Sequence, residues 1–153
     1  MQYLDNLINL CHRAKQATPI KEFILNDAND LNSLTTIQTA IYIIEEIDGD
    51  IEKTFNALEQ YKANKERKCP KLNTPSRILY VGSSTTDLRK RIEQHIGLGH
   101  KDTYALHLKF WFHGKYIITI RQYDEPPEVV QLIEDAISHK LKPAFGKKGS
   151  NNK

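Results

Sequence analysis

The sequence predicts a small α+β domain built on a mostly antiparallel sheet of three to four strands flanked by helices. Three observations predict it. Runs rich in β-branched and aromatic residues alternate with stretches of helical apolar spacing, in the order strand, helix, strand, helix, paired strands, helix. The last two strand-like runs are joined through His113-Gly114, a turn that implies an antiparallel hairpin. The 153 residues are 39% hydrophobic and 27% charged, enough apolar material for one core and too much for a disordered chain.

Leu4, Leu7, Ile8, Cys11 and Ala14 form a helical stripe over residues 2–16. Thr18-Pro19 then reads as an N-cap with proline at the first helical position, opening a second helix over 19–25 with Ile20, Phe23 and Ile24 on one side. The Asn- and Asp-rich stretch 26–33 reads as a loop. Residues 1–36 are thus expected to be a helical N-terminal appendage, too short to hold a core alone. The main domain is expected at 37–146. QTAIYIIEEI is a strand, and Asp50 caps an inserted helix at about 50–68 with a stripe of Ile51, Phe55 and Leu58. RILYVGS is a second strand, and Asp87 caps a helix that runs to Ile96 and stops at GLG. LHLKFWF alternates, with Leu106, Leu108, Phe110 and Phe112 on one face, and YIITIRQY is its hairpin partner. Glu125-Pro126-Pro127 opens a last helix, which Pro143 ends. Residues 147–153 are a basic tail.

Charge is segregated along the chain although the net charge is only +3. Nine acids face two lysines between Lys21 and Glu59, nine Lys/Arg face two acids between Lys62 and Arg91, and five lysines with no acid follow His139. Basic blocks of this kind suit a polyanion, because each phosphate contact releases counterions. Cys11 and Cys69 lack CxxC spacing, which excludes a disulfide scaffold and a zinc ribbon and makes a reducing cytoplasm the expected setting. No apolar run approaches the ~20 residues that span a bilayer. The amphipathic start, with its Asp5, does not read as a signal peptide. GKKGS near the end lacks the phosphate-loop pattern, though its amides and lysines suit a backbone phosphate.

Ala40-Ile41-Tyr42, Tyr80-Val81-Gly82, Arg91 and Glu134 together resemble the GIY-YIG nuclease superfamily. In that family two tyrosine motifs lie on neighbouring strands, and an arginine follows ten residues after the second tyrosine. Here Arg91 stands eleven after Tyr80 and Arg89 nine. Arg91 is preferred because it shares a helix face with His95, the position where the family often has histidine or tyrosine. The family's metal-binding glutamate lies on a late helix before a proline, and Glu134 precedes Pro143 by nine residues. The resemblance covers roughly 37–146. This sequence departs from the pattern at Ala40, which replaces a glycine, at Gly146, where many members have asparagine, and in the 37 residues between Tyr42 and Tyr80.

The resemblance implies a metal-dependent endonuclease acting on DNA. Its catalytic set would be Tyr42, Tyr80, Arg91, His95 and Glu134, with one Mg²⁺ or Mn²⁺ held by Glu134. Arg91 would clamp the phosphate with its planar fork. Tyr42, Tyr80 or His95 would take the proton from water. A free phenol is only ~0.1% ionised at pH 7, a handicap of roughly 4 kcal/mol, so a tyrosine base needs a neighbouring cation. Arg89, Lys90, Lys142, Lys147 and Lys148 are the expected DNA contacts, with stacking by Tyr104 and core packing the better reading of Trp111. Double-strand cutting with one site per chain would call for a homodimer. The alternatives are a binding module of the same fold without catalysis, and an interaction protein that docks through residues 1–35.

Overall fold

The computed structural model describes residues 1–25 and 28–146, with side chains throughout except at 28–30. The first helical stripe forms α1 (Gln2–Gln16). Its inner positions Leu10 and Ala14 join an apolar cluster with Ile137 and Leu141, and Arg13 reaches Glu125 at 2.7 Å. None of its residues is buried.

The helix expected over 19–25 is instead a strand, β1 (Lys21–Leu25), hydrogen-bonded antiparallel to residues 118–122. Five residues are too few to separate a period of two from a period of 3.6, and Ile20, Phe23 and Ile24 fit both. What decides is an open sheet edge. Ile20 N–H donates to Gln122 O, Phe23 packs against the core, and Ile24 faces solvent. The segment before residue 37 is therefore part of the sheet and not a purely helical appendage. A 3₁₀ segment (Ala28–Leu34) leads into β2 (Ala40–Ile47).

Asp50 caps α2 (Ile51–Ala63), its side chain accepting from the Glu52 and Lys53 amides. The buried face is Thr54, Leu58 and Tyr61, one step round from the expected stripe, and Ile51 is exposed. Then come β3 (Ile78–Ser84), α3 (Leu88–Ile96) capped by Asp87, β4 (Lys115–Gln122) and α4 (Pro127–Leu141). Gly97 ends α3 at φ 120°, a conformation that favours glycine.

The strand expected at 106–112 does not form. His107 adopts a left-handed backbone (φ 51°), and a 3₁₀ turn follows at Leu108–Phe110. Trp111 is buried and donates its indole N–H to Leu106 O, while Phe110 is exposed, the reverse of the alternation read from sequence. The edge of β4 that this run was to occupy is taken by β1.

The fold class stands as expected: among the described residues, four antiparallel strands in the order β1-β4-β2-β3, with four α-helices. Pairing β2 between β4 and β3 buries both of its faces. Ala40, Tyr42 and Ile44 join one apolar cluster with Leu88 and Ile92 of α3 and Trp111. Ile41 and Ile43 join a second with Val129, Val130 and Ile133 of α4. Residue 42 thus lies on the α3 face and α4 covers the other.

Candidate active site

Antiparallel register sets Tyr42 opposite Gly82, two residues from Tyr80 on the neighbouring strand. The two phenol rings stack with centroids 6.1 Å apart and planes within 8°. Gly82 makes this possible. A Cβ there would run into the hydroxyl end of Tyr42 and come 2.8 Å from the Tyr80 ring, so only a residue without a side chain lets the Tyr42 ring cross β3.

α3 brings the next two groups. His95 is fully buried, its ring 4.3 Å from that of Tyr80, and its Nε2 lies 3.0 Å from Tyr42 Oη. The Leu106 amide donates to Nδ1 at 3.1 Å. A nitrogen that accepts carries no proton, so the neutral ring bears its proton on Nε2 and donates it to Tyr42 Oη. Burial, reinforced by the Arg91 charge, holds His95 well below its ordinary range and hence neutral. Both ring nitrogens are then engaged, and Nε2–H is the donor that orients Tyr42. Arg91 donates to Tyr80 Oη at 3.3 Å, to Tyr104 O at 3.0 Å and to Gln94 Oε1 at 3.0 Å. Burial opposes its charge, but the two phenols hold it protonated. Arg89 turns elsewhere, to Glu93 at 2.9 Å and Asn32 at 3.0 Å.

Glu134 comes from α4, on the other side of β3. It is 7% exposed, receives the Gln131 amide at 2.9 Å on Oε2, and is hydrogen-bonded by the Ser83 hydroxyl. Its charge raises both phenols, and Arg91 in turn favours its ionised form, so the carboxylate shares one electrostatic neighbourhood with Tyr42, Tyr80 and Arg91. Burial is the leading effect on each acid. It pushes Tyr42 far up, Tyr80 to about 12 and Glu134 above the usual carboxylate range, with Arg91 working against all three. Tyr80 is the easier phenol to ionise.

Beside Arg91, Ser83, Thr85, Thr86 and Lys90 line a hollow of about 300 Å³. Lys90 therefore borders the site, and Lys142 caps α4 in a left-handed conformation at its far end. Tyr104 is half-buried, with Lys68 over its ring at 5.6 Å. Lys147 and Lys148 lie outside the described residues. Sequence reasoning missed three supports: Ser83, Gln131 and the Leu106 amide. Gln131 was findable, since it sits one helical turn before Glu134. The others require the fold.

No group of three or more His, Cys, Asp or Glu that could cage a metal occurs among the described residues. The donor chemistry at Glu134 fits a different arrangement. One hard, buried carboxylate, steadied by Ser83 and Gln131, suits an ion such as Mg²⁺ that keeps most of its waters and takes few protein ligands. No helix of the described residues is long and apolar enough to cross a membrane. A scan against protein-family models and searches of curated proteins and of solved structures found no match to this chain.

The neutral histidines make a stability prediction. Burial lowers His95 and His107, so below about pH 6.5 the unfolded chain binds protons that the fold refuses. Stability from these groups is fully present above that pH and is lost as pH falls toward their folded values. The urea midpoint is expected to drop from pH 7 to pH 5, and His95→Gln to flatten that drop. An unchanged pH dependence in the variant would place the titration elsewhere.

Proposed function

We propose that this chain is a metal-dependent endonuclease of the GIY-YIG type, hydrolysing phosphodiester bonds in DNA. The observation that supports it is the meeting of Tyr42, Tyr80, Arg91, His95 and Glu134 from four elements around β3, with a hollow beside the guanidinium. Five polar side chains drawn together, with a carboxylate buried and a guanidinium half-buried, are poorly explained as packing.

In this reading the scissile phosphate enters the hollow and its oxygens meet the Arg91 fork. A water is presented to the phosphorus, and Tyr80 Oη, held against Arg91, takes its proton. His95 Nε2–H fixes Tyr42 Oη beside it. Glu134 would hold the divalent ion, and the ion would supply positive charge against the charge that develops in the transition state. A phenol near 12 working at pH 8 faces roughly 5 kcal/mol, which Arg91 and substrate-bound charge have to offset.

Relaxation of supercoiled plasmid with Mg²⁺ or Mn²⁺ tests this. Wild type is expected to nick, and Arg91→Ala to lose ~10³-fold or more, the cost of removing a charged transition-state contact. Because the base ionises far above neutrality, log rate is expected to climb with unit slope from pH 6.5 to 9. Tyr80→Phe is expected to remove that slope along with ~10²- to 10⁴-fold of the rate. Intact plasmid with the wild-type protein under both metals would favour a binding module without catalysis.

A further inference from the structure

A second concavity lies on the far side of Glu134. It is a groove of about 530 Å³ between the outer edge of β3 and the end of α4. Its inner wall holds Val81, two residues along β3 from Ser83, and Ser138, one turn along α4 from Glu134. Two strand residues are about 7 Å, so the groove begins within a nucleotide's reach of the hollow at Arg91.

The groove is built from braced backbone. Residues 144–145 run along β3, with Ala144 N–H donating to Ile78 O at 2.8 Å and Phe145 N–H to Leu79 O at 3.0 Å. Asn73 ties the two walls together through its amide, donating to Pro143 O at 3.1 Å and Gly146 O at 2.8 Å. Lys71 and Lys142 both line the groove, together with the apolar Val81 and Pro143. Two cations beside apolar surface match a nucleotide, which carries an anion at one end and a flat apolar ring at the other.

We infer that this groove seats the single-stranded nucleotide next to the scissile phosphate, Lys71 and Lys142 meeting its phosphates and its base lying on Val81 and Pro143. The inference rests on the nuclease reading and names how its substrate is held. It requires the strand to leave the duplex path at the cut, so that an unpaired base meets the groove.

Fluorescence anisotropy with a short labelled single-stranded DNA in EDTA, across a salt titration, tests it without hydrolysis. Lys71→Ala/Lys142→Ala is expected to weaken binding ~10-fold or more and to reduce the salt slope by about 1.4, at about 0.7 per phosphate contact on a single strand. Thr74→Trp, which fills the groove and keeps both charges, is expected to weaken binding as well. Lys15→Ala/Lys53→Ala, a charge-matched pair remote from the groove, is expected to change affinity less than twofold. Equal losses from both lysine pairs, or no oligonucleotide binding by the wild type, would overturn the groove. Groove-dependent binding without plasmid cleavage would instead sink the nuclease reading and leave the groove standing. Cleavage with groove variants that bind like wild type would do the reverse.

Discussion

Glu134→Gln is expected to abolish plasmid cleavage, a loss of ~10³-fold or more, while the protein melts at or above the wild-type temperature. The two halves have one cause. The carboxylate is buried, and burial raises it above the usual range, so its ionised form is less favourable in the fold than in the unfolded chain. Ser83, Gln131 and Arg91 offset only part of that cost. Glutamine keeps the shape and an oxygen for the Ser83 hydroxyl, and it removes the charge that the fold resists. In the proposed mechanism it also removes the hard anionic group that would hold the divalent ion, and several kcal/mol of charge stabilisation correspond to ~10³ in rate. Stability and activity therefore move in opposite directions, as at sites kept for chemistry and not for packing. A plasmid assay beside thermal unfolding at pH 8 reads both. Melting well below wild type with activity retained would mean that Glu134 is a structural group.

The antiparallel α+β class was legible because β2 and β3 are dense in β-branched and aromatic residues, and because Asp50 and Asp87 are strong caps before helical stripes. The two misread elements, 19–25 and 106–112, are coupled. Both compete for one edge of β4, and the winner is set by which segment can close on it without strain. His107 in a left-handed backbone, held by the carbonyls of Lys68 and Thr103, commits its segment to a turn, and β1 takes the edge. Strand pairing between distant segments leaves no local trace. The tyrosines, Arg91 and Glu134 were visible as residue types at suggestive spacings, and the choice of Arg91 over Arg89 came from helical periodicity. The role of His95 was not visible. Its proton position follows from the Leu106 amide, which reaches it from a loop eleven residues away.

Gly82→Ala is expected to cost about 2 kcal/mol of stability, near 6 °C in melting temperature for a chain of this size, and ~10²-fold in cleavage. The added methyl would sit inside the Tyr42 hydroxyl end and 2.8 Å from the Tyr80 ring, and neither ring can yield freely. Tyr42 is 1% exposed and held by His95; Tyr80 is 1% exposed and held by Arg91. Rings packed this tightly respond to overpacking by moving as a pair or by forcing β3 away from β2, and either motion breaks the 3.0 Å bond to His95. A double-mutant cycle separates this from a generic defect in β3. With Tyr42→Ala in the background only the 2.8 Å approach to the Tyr80 ring is left, and that ring gains space to move, so the stability cost of Gly82→Ala is expected to fall to less than half. The activity is expected to stay low, because the phenol that His95 orients is gone. A cost that persists undiminished in the double variant would show that Gly82 serves the strand backbone and not the passage of Tyr42 across it.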